Sequence, residues 1–166
     1  IVRKGSASVV LDVRGIGFDL QVSTGTLESL SAVGTDVTVF VSLLWRNESL
    51  LLTGFSTEAE REIFSLLIGV SGVGPRIALA LLSHLGTQGV LRALKENQAA
   101  VFARTPGVGK KLSERIALDL RDKVSHLELA GGPATPQSTD RLASLGEDGV
   151  TALESLGFSR KEAEAA

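Results

Sequence analysis

Two seven-residue stretches have the residue types and spacing to do chemistry. Ser71-Gly72-Val73-Gly74-Pro75-Arg76-Ile77 recurs thirty-five residues later as Pro106-Gly107-Val108-Gly109-Lys110-Lys111-Leu112, and Leu81 and Ile116 keep the same offset. Self-similarity at fixed spacing marks one supersecondary unit used twice. The chemistry open to such a bend is anion capture. Glycine tolerates positive φ and carries no Cβ, so a ligand can approach the main chain closely. A helix opening directly after each bend would present first-turn amides that lack intrahelical partners, at the positive end of the helix dipole. Together these make a site for one phosphate group. Ser71, Gly72, Val73, Gly74 and Arg76 form the first candidate set, and Gly107, Val108, Gly109, Lys110 and Lys111 the second. The valine between each pair of glycines is expected to point inward and anchor its bend. A grip on backbone phosphate positions DNA without reading its sequence.

Three other readings of these glycines compete. A dinucleotide-type G-x-G-x-x-G needs glycine where Ile77 and Leu112 stand, and no strand pattern precedes either bend. A P-loop needs Ser or Thr where Lys111 stands and glycine where Arg104 stands. Plain Gly-rich turns between helices, with no ligand, would suit a single copy equally well. Two copies followed by basic residues favour the anion site. Other chemistries lack their residues. The chain has no cysteine, which removes disulfides, thiolates and Cys-type zinc sites, and His84 and His126 stand alone. Neither metal nor cofactor is expected.

The elements that must hold these bends are legible from pattern. The 166 residues, 43% of them hydrophobic, are enough for real cores. Residues 1–56 read as β: Ala7, Val9, Leu11 and Val13 alternate, Gly15-Ile16-Gly17 breaks the run, and Phe18, Leu20 and Val22 resume it. Val37, Val39, Val41 and Leu43 alternate again, and Arg46-Asn47-Glu48-Ser49 leads on to Leu50 and Leu52. A short helix fits between Thr24 and Val33. Such strands suggest a small closed five-stranded barrel of the oligonucleotide-binding (OB) type, which buries its own edges.

Residues 57–129 read as helical. Thr57 and Glu60 make a capping-box pattern. Ile77, Leu81 and Leu85 share one helix face, as do Leu112, Ile116 and Leu120. Residues 130–139 have linker composition, and residues 140–166 suggest two short helices, 148–156 and 159–165. The fold class expected is α+β and multidomain. Net charge is −2 overall, yet residues 57–129 carry ten basic and eight acidic side chains. Bulk charge will not supply polyanion binding; placed groups must. With no apolar run near the roughly 18 residues of a membrane span and no signal-like start, a cytoplasmic protein is expected.

A barrel, tandem helix-hairpin-helix units, a linker and a small helical tail resemble the bacterial RuvA family of Holliday-junction proteins. The likeness runs over nearly the whole chain. It rests on Leu52-Thr53-Gly54-Phe55, on Val70 through Arg76, and on Thr105 through Lys111 with Glu114-Arg115 following. It implies a non-catalytic homotetramer, one or a pair on each four-way DNA junction, working with a RuvB-type hexameric ATPase in branch migration. The family's acidic pin at the crossover falls on Asn47 and Glu48, with Asn47 standing where an acidic residue is usual. The family's motor-binding surface falls on Leu153, Leu156 and Phe158. The chain also begins within the family's first strand and stops before its last helix. Two other functions are weighed against this one. A base-excision glycosylase would need an aromatic-lined pocket beside the bends. A single-strand binder would need a stacking platform among Phe18, Phe40, Trp45 and Phe55.

Overall fold

The computed structural model describes residues 1–46, 49–121 and 123–124, all within one compact unit, Ile1–Gly131. Strands β1 (Arg3–Lys4), β2 (Ser8–Val13) and β3 (Ile16–Val22) lead into helix α1 (Thr24–Ser29). Strands β4 (Phe40–Arg46) and β5 (Ser49–Phe55) follow, then helices α2 (Glu58–Ile68), α3 (Pro75–Lys95), α4 (Ala99–Phe102) and α5 (Lys110–Leu120).

The first hairpin turns at Arg14-Gly15 rather than at Gly15-Ile16-Gly17. Both turn residues have positive φ (54° and 88°), as a two-residue turn matching the strand twist requires, and the Gly15 amide donates to Asp12 Oδ1 at 2.9 Å. Along one face of this hairpin, Val9 and Leu20 are buried opposite each other, whereas Val13 and Ile16 near the turn are exposed. The alternation continues to the tip. Its cover does not, because the hairpin outruns the core.

The sheet order is β1-β2-β3-β5-β4, with β3 and β5 parallel and every other pairing antiparallel. The sequence pattern favoured closure; the structure shows an open sheet whose edges, β1 and β4, do not pair. The β1 ladder holds only two residues, and the β4 ladder starts at Phe40 rather than at Val37. Across that gap Ile1 is held by loop bonds instead: its ammonium donates to Thr35 O, and its carbonyl accepts from Gly34 N. Val37 and Val39 still pack on the small barrel core of Val9, Leu20, Val22 and Leu30.

A second, larger core lies among the helices. Phe55, at the end of β5, is fully buried in it beside Phe64 of α2, with ring centroids 4.9 Å apart. The neighbouring Gly54 lets the strand pass: a Cβ there would come within 3.1 Å of Val39 Cγ1. The Arg61 guanidinium lies 5.9 Å from the Phe40 ring centroid, within cation–π range. The end of the barrel is therefore built into the helical part.

Helix α3 is broken at Gly86 (φ 66°, ψ 169°). By length and composition it could cross a membrane, contrary to the expectation that no segment approaches a membrane span. Here Ala78, Leu81, Leu82, Val90 and Leu94 are buried in the larger core. The capping box at α2 forms only by half. Thr57 Oγ1 accepts from Glu60 N at 3.2 Å, but the Glu60 carboxylate turns away from the Thr57 amide toward α1.

Candidate nucleic-acid interface

The two bends join α2 to α3 and α4 to α5. Their geometries nearly coincide. Gly72 and Gly107 have φ of 92° and 87°, a left-handed conformation that would strain any residue with a Cβ. Gly74 and Gly109 are the N-caps of α3 and α5, with extended backbone (φ −96°, ψ 173° and φ −84°, ψ 169°) and no side-chain cap. By contrast, α1 and α2 are capped by Ser23 and Thr57, whose hydroxyls accept from Thr26 N and Glu60 N. A glycine N-cap leaves the first-turn amides open.

Those amides can be identified. Val73 N donates to Val70 O and Val108 N to Thr105 O, both at 3.0 Å, so the central amide of each bend is spent inside it. The side chains of Val73 and Val108 are buried. Both valines thus anchor their bends, and their amides are not among the open donors. Among the described residues, no acceptor takes the amides of Gly74, Arg76 and Ile77 on the first bend, or of Gly109, Lys110, Lys111 and Leu112 on the second. Pro75 has no amide hydrogen, so the first helix start has one donor fewer.

The remaining candidates are at the surface. Ser71, Gly72, Arg76, Gly107, Gly109, Lys110 and Lys111 are exposed, and Gly74 is half-buried. Neither α3 nor α5 carries an acidic residue in its first turn. Each arrangement is thus an open helix start with one or two cations beside it, suited to an anionic group held from outside.

The structure adds residues outside the two candidate sets. Arg115, on α5, donates from Nη1 to Ser71 O at 3.2 Å and so ties the second unit to the first bend. Thr105 is buried at the foot of the second bend, and its hydroxyl has no partner among the described residues. Val70 occupies the matching position of the first. Arg104, also exposed, adds a cation near the second bend. The available signal was the repeat itself, aligned one residue at a time.

Asn47 and Glu48, and Leu153, Leu156 and Phe158, lie outside the described residues, as do the linker and tail helices. The strands flanking positions 47 and 48 are described: β4 and β5 pair up to Arg46 and Ser49. On one face of this hairpin Val41, Leu43, Trp45 and Leu50 form an exposed apolar strip, with Trp45 71% exposed.

The rival functions lose their geometry. Phe55 is buried and Phe40 faces α2, so the barrel aromatics do not form one stacking surface. A cavity of about 720 Å³ is lined by Val41, Leu43, Arg61, Ser65, Leu66 and Lys123 among others, by no aromatic and by no residue of either bend. A base-sized aromatic pocket is not found there. Asp119 is exposed on α5.

A family model described as "RuvA N terminal domain" matches residues 1–54, and one described as "SAM-like Helix-hairpin-helix tandem" matches residues 64–122. The Holliday junction branch migration complex subunit RuvA of Stutzerimonas stutzeri is 40% identical over 98% of this chain and 83% of its own length. The subunits of the same name from Syntrophotalea carbinolica and Chlorobium luteolum are 40% and 41% identical over 95% of this chain, and over 79% and 78% of their own lengths. With the glycine-capped helix pair standing where the second family model matches, and with likeness of this extent on both sides of it, the chain belongs to the RuvA family.

Proposed function

We propose that the protein is a non-catalytic subunit that binds four-way DNA junctions and holds them open for branch migration by a RuvB-type hexameric ATPase. The observation that carries this reading is the duplicated, glycine-capped helix start at the surface, whose first-turn amides have no acceptor among the described residues and which has cationic residues beside it. Each start takes one backbone phosphate, so each subunit grips a duplex arm at two points. One such contact is weak. Four-fold symmetry matches a four-armed ligand and multiplies the contacts by avidity. The exposed strip of Val41, Leu43, Trp45 and Leu50 supports self-association into a homotetramer, since contiguous apolar surface of this kind marks interaction sites.

Asn47 and Glu48 serve as the pin at the crossover, where a carboxylate repels phosphates and keeps duplex from lying across the centre. Leu153, Leu156 and Phe158 contact the ATPase. A cytoplasmic location accords with such a DNA ligand.

The deciding experiment is a gel shift with a synthetic four-way junction and a linear duplex of the same sequence. The junction is retarded at concentrations where the duplex stays unbound, with no ATP hydrolysis by the purified chain. Equal affinity for the two DNAs refutes junction recognition and leaves generic phosphate binding.

A further inference from the structure

One buried titratable group takes no part in the phosphate sites. Glu60, in the first turn of α2, is 5% exposed, and its two carboxylate oxygens accept four hydrogen bonds. Ser23 Oγ donates to Oε1 at 2.6 Å, and Thr26 Oγ1 to Oε2 at 2.6 Å; Ser56 N and Ser56 Oγ donate to Oε2 at 3.1 and 3.2 Å. Ser23 is also the N-cap of α1, and Ser56 lies in the link between β5 and α2. One carboxylate thus gathers the start of the barrel's helix, the start of the first DNA-side helix and the chain joining them.

No cation balances it: among the described residues, the ion pair seen is Arg61–Glu58. A buried carboxylate without a counter-charge is costly unless its hydrogen bonds are well made. Filling this position with an apolar side chain would hold the joint together with less electrostatic penalty. Apolar contacts lack direction, however, and allow sliding. Short charge-assisted hydrogen bonds fix orientation as well as distance. The joint also contains space: a cavity of about 250 Å³ lies against Ser23, Thr26, Ser56, Glu60, Gly86 and Gln88. Phe55 and Phe40 pack the end of the sheet against α2, and on the α1 side, where this space remains, the carboxylate's hydrogen bonds make the connection.

The angle at this joint has a consequence at the far end of the barrel. Strand β4 runs seven residues from Phe40 to Arg46, roughly 20 Å at about 3.3 Å per residue. A rotation of about 10° at its base moves its tip by about 3–4 Å, more than a hydrogen-bond length. A ligand touching the hairpin tip and both glycine bends would feel that displacement, whereas one touching the bends alone would not.

We infer that Glu60 is a positioning residue for junction selectivity: its carboxylate locks α1 to the start of α2 and so fixes the β4–β5 hairpin relative to the two phosphate-binding bends. This rests on the junction-binding reading above, which supplies the ligand that spans both regions.

The test uses the full chain with Glu60→Gln and, separately, Thr26→Val, which removes one donor and leaves the carboxylate. Thermal melts select a temperature at which both variants are folded. Dissociation constants for a four-way junction and a matched linear duplex are then measured side by side. Because the chain lacks cysteine, spin labels at Asp19→Cys and Gln98→Cys report the barrel-to-helix distance without DNA, with unlabelled chain in excess.

The expected result is a loss of at least tenfold in junction-over-duplex selectivity for Glu60→Gln, with duplex affinity within twofold of the parent and a broadened distance distribution. Thr26→Val shifts the same way by a smaller factor. Selectivity retained within twofold overturns the proposal, whether or not the distances broaden. Loss of both affinities in proportion to the unfolded fraction also overturns it, since that is what a merely structural role produces. A parent chain without junction preference refutes the functional reading instead; an unbroadened Glu60→Gln distance refutes the lock by itself.

Discussion

The two glycine bends share a backbone but not their surroundings. Gly72 and Gly107 have φ within a few degrees of each other, and Val73 and Val108 make the same internal hydrogen bond. Yet the second bend opens on Lys110 and Lys111 with four unspent amides, whereas the first opens on Pro75 and Arg76 with three. The helices leading in differ as well: α2 has eleven residues, whereas α4 is a single turn of four. Backbone geometry is what the duplicated unit needs in order to exist. Charge and donor number are where its two copies have diverged. On the proposed function, the second bend is expected to be the stronger phosphate site and the first the weaker one beside it.

The largest effect should come from reversing that charge. Lys110→Glu with Lys111→Glu weakens junction binding by about 100-fold or more, while Arg76→Glu costs about tenfold. Salt titration reads the difference directly, since each lost phosphate contact flattens the logarithmic slope by about 0.9. Equal losses at the two bends would abolish the distinction between them.

Next in size are the glycines themselves. Gly72→Ala and Gly107→Ala each force a Cβ into the left-handed region, at about 1–2 kcal/mol. Melting temperature should fall by roughly 2–8 °C in each case. A Cβ at Gly72 meets Leu112 Cδ1 at an ordinary 3.4 Å, and one at Gly107 meets nothing within 4 Å, so backbone strain dominates both. A drop at only one of the two sites would mean that the bends are not equivalent in backbone after all.

The smallest effect is a gain. Thr105 buries a hydroxyl with no partner among the described residues, where the first bend has Val70. Thr105→Val removes that polar group and should raise stability by about 1 kcal/mol, with junction affinity unchanged. A lower melting temperature would show that the hydroxyl is satisfied in solution.

Much of this was legible in the residues themselves. The repeat, the inward valines and the change from strand to helix near Thr57 follow from short-range patterns, because turns, caps and amphipathic faces depend on residues a few positions apart. Other features were not. Thr57-x-x-Glu60 predicted a reciprocal cap, but the carboxylate found donors on Ser23 and Thr26, more than thirty residues away. Alternation predicted strands that bury one face and close a barrel. Val13, Ile16, Val41 and Leu43 are instead exposed on hairpins that extend past the core, and the edge strands β1 and β4 do not pair with each other. Apolar periodicity tells which face is greasy and leaves open how far its cover extends.

The amino-acid order alone settled the two open helix starts. A left-handed glycine, an anchoring valine and a second glycine in place of a capping side chain are local instructions, carried out within half a dozen residues. Which amides stay unspent, how deeply Glu60 is buried and what it joins were settled only when distant segments met. A buried group's partners come from whatever the fold brings within about 3 Å, and separation along the chain does not encode that distance.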